Sequence, residues 1–191
     1  MMPLNKYPWS EQYGWCADQY GVNWQFMLGH ESSCKIMPHM MFVGQNAGKT
    51  EEAINFYTNI FDKNKIVAIS RYEEGEPDQT GFIKYSQFEL QGLPFGAMDS
   101  SANHQFNFNE AVSFVITVDT QDEIDHYWNK LLEGGKAGKC GWIKDKYGIS
   151  WQVVPSILGK MMTNPETAPK ATYAFLQMSK FIIADLEAAV K

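Results

Sequence analysis

From residue 40 onward the apolar positions switch between a strand period and a helix period. MMFV (40–43) is a short apolar run that predicts a strand. TEEAINFYTNIF (50–61) sets Ala53, Ile54, Tyr57 and Phe61 at helical spacing, behind Thr50 as N-cap and with Glu51 and Glu52 in the first turn. Strands follow at 65–72, 81–91 and 93–99, then a polar loop, then the β-branched run AVSFVITVD (111–119). TQDEIDHYWNKLLEGG (120–135) predicts a helix capped by Thr120, apolar along Ile124, Trp128, Leu131 and Leu132, and stopped by Gly134 and Gly135. A hairpin with a D-x-Y-G turn, bounded by Asp145 and Gly148, runs to Pro155. The order is β-α-β-β-β, then β-α-β-β with room for one more short strand. It predicts an α+β domain of two similar halves. Residues 157–191 predict one or two amphipathic helices after a Pro-containing loop.

The hairpin pattern occurs twice. GWCADQYGVNWQFML (14–28) and GWIKDKYGISWQVVP (141–155) align at an offset of 127 residues. Gly14/Gly141, Trp15/Trp142, Asp18/Asp145, Tyr20/Tyr147, Gly21/Gly148, Trp24/Trp151 and Gln25/Gln152 are identical. An offset of that size is the length of a small domain. The chain is therefore expected to begin near the end of one domain copy and to continue through a full second copy. A lone two-stranded hairpin is marginal, and with Trp15, Val22, Trp24 and Phe26 it would expose an apolar face. It is expected to pack on the main domain or on a partner chain.

Composition narrows the function classes. A net charge of −6 and a pI near 5.2 argue against nucleic acid or an anionic membrane surface as the main partner. No apolar run is long enough to span a bilayer, and the N-terminus has no signal-peptide pattern. Cys16, Cys34 and Cys140 lack disulfide or zinc-knuckle spacing and read as reduced thiols, so a cytoplasmic protein is expected. Six Trp, nine Tyr and twelve Phe are enough to line a pocket as well as a core. VGQNAGKTEEA imitates a phosphate-binding loop, but only three residues separate Gly44 from Gly48, and Val43 stands where the motif needs glycine. It reads as a loop feeding a helix, with Lys49 solvated. His104 in a polar loop, His126 on a helix, Cys140 and the acids Glu73, Glu74 and Glu76 show no catalytic pairing.

PHMMFVGQNAGKTEEAINFYTNIF, FNFNEAVSFVITVDTQDEIDHYWNKLLEGG and CGWIKDKYGISWQVVP, occurring in that order, resemble the PhnB-like branch of the vicinal oxygen chelate superfamily. That superfamily includes glyoxalase I, extradiol dioxygenases and bleomycin-resistance proteins. The resemblance implies paired βαβββ modules whose sheets curl around a cavity, in many members completed as a homodimer. It divides the chain into 1–35, a remnant closing hairpin of a lost preceding copy plus linker; 36–156, the domain itself; and 157–191, a C-terminal helical extension. Members are often labelled as a ubiquinone methyltransferase. A methyl-donor site normally needs a Gly-rich strand-to-helix turn, which this sequence lacks.

The resemblance also carries over metal-ligand positions from the superfamily's enzymes, where three or four N/O donors surround one ion. The first falls on His39. The second falls within PFGAMD, where only Asp99 is acidic. The third falls on Ser113 and the fourth on Gln152. A hydroxyl and an amide stand where an imidazole and a carboxylate are needed, so neither a metal nor another cofactor is expected. Strand alternation puts Ser113, Val115 and Thr117 with Ser150, Gln152 and Val154 on the cavity side, and puts Trp151 and Trp142 in the core. The reading is a small-molecule-binding protein, with His39, Phe95, Met98, Ser113 and Gln152 as cavity candidates and no catalytic residue assigned. The alternatives are a metal-dependent lyase or dioxygenase with a rearranged ligand set, and a non-catalytic dimeric interaction module from a truncated tandem gene.

Overall fold

The structure, a computed structural model, describes residues 2–29 and 34–191 and divides into two compact units, Met1–Met37 and Pro38–Lys191. The part of the expected linker at 30–33 lies outside the described residues.

The first unit is a three-stranded antiparallel sheet, not the two-stranded hairpin expected. β1 (Met2–Tyr7), β2 (Ser10–Ala17) and β3 (Asn23–Met27) lie in the order β1-β2-β3. Residues before the repeat supply β1, and Tyr7, Trp9 and Tyr13 cluster with ring centroids 5.2–5.7 Å apart.

The second unit contains two modules of one topology. β4 (His39–Phe42), α1 (Thr50–Thr58), β5 (Asn64–Arg71), β6 (Ile83–Leu90) and β7 (Leu93–Asp99) form the first. β8 (Ser113–Val118), α2 (Gln121–Leu132), β9 (Lys136–Ala137), β10 (Trp142–Lys144) and β11 (Ser150–Pro155) form the second. The sheets run β4-β7-β6-β5 and β8-β11-β10-β9. In each, the first strand is parallel to the last and the other pairings are antiparallel. These are the βαβββ modules of the sequence reading, with β9 as the further short strand.

α2 starts as the sequence requires: the Thr120 side chain accepts from the Glu123 N–H, and Glu123 reaches back to the Thr120 N–H. α1 does not. Thr50 is the first helical residue rather than the cap, and the capping oxygen comes from another strand. Asp99 Oδ1 accepts from Gly48 N at 2.8 Å, Thr50 N at 3.2 Å and Thr50 Oγ1 at 2.7 Å, while Oδ2 accepts from Ile83 N at 2.9 Å. This buried carboxylate satisfies orphan donors at the positive end of the helix dipole. α1 also stops at Thr58, short of Phe61; a turn returning the Ile60 and Phe61 N–H groups to Tyr57 O still buries Phe61.

Both helices cover one face of the sheets over a single aromatic core. Tyr57, Phe61 and Phe114 lie 5.4, 5.8 and 5.1 Å from Trp151, ring centroid to ring centroid. Beneath them Asp145 binds the modules together. Its Oδ1 accepts from Tyr147 N and Ile149 N, and its Oδ2 from Tyr57 Oη at 2.7 Å and Trp151 Nε1 at 2.9 Å. Burial pushes this carboxyl's pKa up, against the pull of those four donors. The tail forms three helices rather than one or two: α3 (Ser156–Thr163), α4 (Ala168–Gln177) and α5 (Ile183–Val190). Pro165, after Asn164, breaks the run between the first two.

The repeat holds in three dimensions. Trp15↔Gln25, Cys16↔Trp24 and Ala17↔Asn23 in the first unit match Trp142↔Gln152, Ile143↔Trp151 and Lys144↔Ser150 in the second. Asp18 accepts from Tyr20 N, Val22 N and Trp24 Nε1, as Asp145 does from Tyr147 N, Ile149 N and Trp151 Nε1. Gly21 and Gly148 take φ of +84° and +92°, the left-handed conformation the shared turn demands.

Candidate functional site

The face of each sheet away from the helices carries the polar side chains that the core does not use. On the first sheet, His39, Gly96, Gln87 and Ala68 form one cross-strand row, with Met41 opposite Met98 in the next. The His39 ring lies over Gly96, where any Cβ would overlap it, and beside the Tyr85 ring at a centroid distance of 6.1 Å. Tyr85 Oη is 3.3 Å from Gln87 Oε1. Burial drops the His39 pKa to about 4, so the imidazole is neutral at physiological pH. Among the described residues no acid acts on it to reverse that effect.

The second sheet has two rows. Ser113, Ser150 and Lys144 make one; Val115, Gln152 and Trp142 make the other. Gln152 Nε2 donates to Ser113 Oγ at 2.8 Å. Ser150 Oγ is buried with no hydrogen-bond partner among the described residues. Lys144 is paired with Glu110. Val115, on the same face, is 58% exposed, so this face is open in the single chain.

The structure thus pairs Ser113 with Gln152 and sets His39 and Met98 together on the other sheet. Phe95 joins neither group. It alternates with Gly96 onto the helix side, where it stacks on Phe88 and meets Phe114 edge-on. A residue three positions from Met98 in a strand cannot share its face. Trp142, read as core from the sequence, lies on the open face across from Gln152; the antiparallel register puts directly opposed residues on the same side. Sequence reasoning passed over Tyr85, Gln87 and Lys144. The alternation in YSQFEL, with Ser86, Phe88 and Leu90 buried, is the signal that finds the first two.

The metal positions implied by the family resemblance do not fit an ion. Asp99 faces α1 and its oxygens are engaged by four donors. What remains is one imidazole, one hydroxyl and one amide, the last two bonded to each other. Among the described residues no group of three or more His, Cys, Asp or Glu side chains converges. Neutral hydroxyl and amide oxygens are weak donors for a divalent transition metal.

Comparisons with known proteins agree with this architecture. The profile of the family described as 3-demethylubiquinone-9 3-methyltransferase matches residues 34–154. A protein from Bacillus cereus, described as a putative 3-demethylubiquinone-9 3-methyltransferase, PhnB protein, has 40% sequence identity and a TM-score of 0.60, over 64% of this chain and 100% of that one. A Pseudomonas aeruginosa protein of known structure has 20% identity and a TM-score of 0.54, over 64% of this chain and 98% of that one, and is similar in fold. No curated protein matches the chain.

Proposed function

This chain belongs to the PhnB-like family of the vicinal oxygen chelate superfamily, and we propose that it binds a small organic molecule without a metal ion. The ligand has an apolar body with a few hydrogen-bonding atoms. It lies between the open sheet faces, against Met41 and Met98 on one side and the Ser113–Gln152 pair on the other, with a second copy of the chain closing over it. The observation that carries this reading is the donor set. A neutral His39 and an uncharged hydroxyl–amide pair stand at the positions that the family resemblance gives to metal ligands. The buried, unpaired Ser150 hydroxyl next in the row supports it, since such a group is costly until something bonds to it. Val115 and the exposed Ile66, Val67 and Ile69 of β5 support a closing partner.

The family's description names a methyl transfer, and the fold gives that reading no support. A nucleotide-type methyl donor needs a Gly-rich turn from a parallel strand into a helix whose N-terminus is free for the ligand. Here both sheets are mixed, and the α1 N-terminus is already held by Asp99. No helix among the described residues is long and apolar enough to cross a membrane.

Thermal denaturation of the purified protein against a panel of small metabolites, with elemental analysis of the same sample, tests the proposal. A ligand at about 100 times its Kd stabilises by about 2.7 kcal/mol, and Gln152→Ala should abolish the shift. A panel without effect, or a stoichiometric transition metal in protein purified without chelator, would overturn it.

A further inference from the structure

The two repeat copies share sequence, register and turn, yet only one is covered. Trp151 is 2% exposed and its counterpart Trp24 is 40% exposed; Tyr147 is 3% exposed and Tyr20 is 83% exposed. Cys16, exposed, occupies the position of the buried Ile143. The second copy shows what covers such a face. Tyr57 and Phe61 rest on Trp151, Tyr57 Oη donates to Asp145 Oδ2 at 2.7 Å, and Tyr147 Oη donates to Glu52 Oε1 at 2.8 Å. On the outer edge of β11, β8 adds in parallel. In the first copy the corresponding places are open among the described residues. Asp18 Oδ2 accepts only from the Trp24 indole, the Tyr20 hydroxyl has no partner, and β3 ends its sheet with a free edge. A free edge beside exposed Val22, Trp24 and Phe26 is a template for another chain.

We infer that the face of the first sheet bearing Cys16, Val22 and Trp24 is a docking surface for a different polypeptide. That partner supplies a strand that adds in parallel to β3. It also supplies an amphipathic helix with a glutamate and, five residues on, a tyrosine, the chemistry of β8 and α1. The glutamate accepts from Tyr20 and the tyrosine donates to Asp18. A second copy of this chain is not the occupant, because its β8 and α1 are engaged by its own β11 and Asp145.

Cys16 reports coverage of this face once Cys34 and Cys140 are changed to serine. The probe is a duplicate of residues 38–133 placed ahead of residue 1 through a Gly/Ser linker, which raises its effective concentration to the millimolar range. Alkylation of Cys16 should slow by about tenfold or more relative to the unlengthened protein, and Asp18→Ala should restore much of the rate. An unchanged rate in a folded, lengthened chain overturns the proposal. So does protection of Cys16 in the unlengthened protein that rises with its concentration together with a dimer mass, which would identify a second copy as the occupant. Should the lengthened chain not fold, residues 38–133 are co-expressed with the full chain as a separate polypeptide. Co-purification with protection of Cys16 supports the proposal, and failure of either overturns it.

Discussion

Asp145→Asn keeps the shape of the side chain and removes its charge. The amide oxygen still accepts from Tyr147 N and Ile149 N. The amide NH2 then faces two donors, Tyr57 Oη and Trp151 Nε1. The phenol can turn and accept, but the indole N–H can only donate. One buried donor pair is left unsatisfied, at a cost of about 1–3 kcal/mol. Loss of the carboxylate also relieves the burial that raises its pKa, so a net destabilisation of about 2 kcal/mol is expected. Asp145→Ala leaves all four donors without an acceptor and should reach about 4 kcal/mol or more. Tyr57→Phe removes one bond without orphaning the others and should cost about 1–1.5 kcal/mol. Its effect and that of Asp145→Asn should add to less than their sum, since both act on one network. Urea unfolding read as a shift of midpoint at constant slope measures each value. An Asp145→Asn protein within about 0.5 kcal/mol of the parent would refute the view that this carboxylate binds the modules together.

His39 has a folded-state pKa of about 4 against an ordinary 6.5. The unfolded chain therefore takes up the extra proton, and its stability contribution is lost as pH falls from 6.5 toward 4, by up to about 3 kcal/mol. His39→Gln should flatten that part of the urea-midpoint profile relative to the parent. Gly96→Ala should push the imidazole off the strand and bring its pKa back toward the ordinary value, visible in an NMR titration of the ring protons. Asp99→Ala should cost about 2–4 kcal/mol by releasing the α1 N-terminus and the Ile83 N–H, with early loss of helical signal on heating.

Helix and strand periods made the βαβββ modules legible, because each element meets water on one side and the core on the other. The D-x-Y-G repeat showed its duplicated turn because its chemistry is local: Asp at the first position accepts from the turn's N–H groups, and Gly at the fourth takes the positive φ. Long-range partners were not legible. Thr50 has the profile of a cap, yet the acceptor at that helix start is Asp99, brought there by strand pairing that local sequence does not encode. Phe95 was misplaced because it was grouped with Met98 in the cavity without counting the pleat between them, three positions that put the two side chains on opposite faces. Trp142 was misplaced because its face depends on the register with β11. β1 was missed because its pairing with β2 is broken by register shifts and its alternation is weak.

The bond from Tyr57 to Asp145 spans 88 residues of chain. During translation at about 5–20 residues per second, the helix carrying Tyr57 emerges about 4–18 seconds before its acceptor. Throughout that interval the strands of the first module can already cover part of the helix, but the Tyr57 hydroxyl lacks its acceptor and the ring lacks the Trp151 indole it packs on. Slower synthesis across that stretch would lengthen the time for which this face waits uncovered.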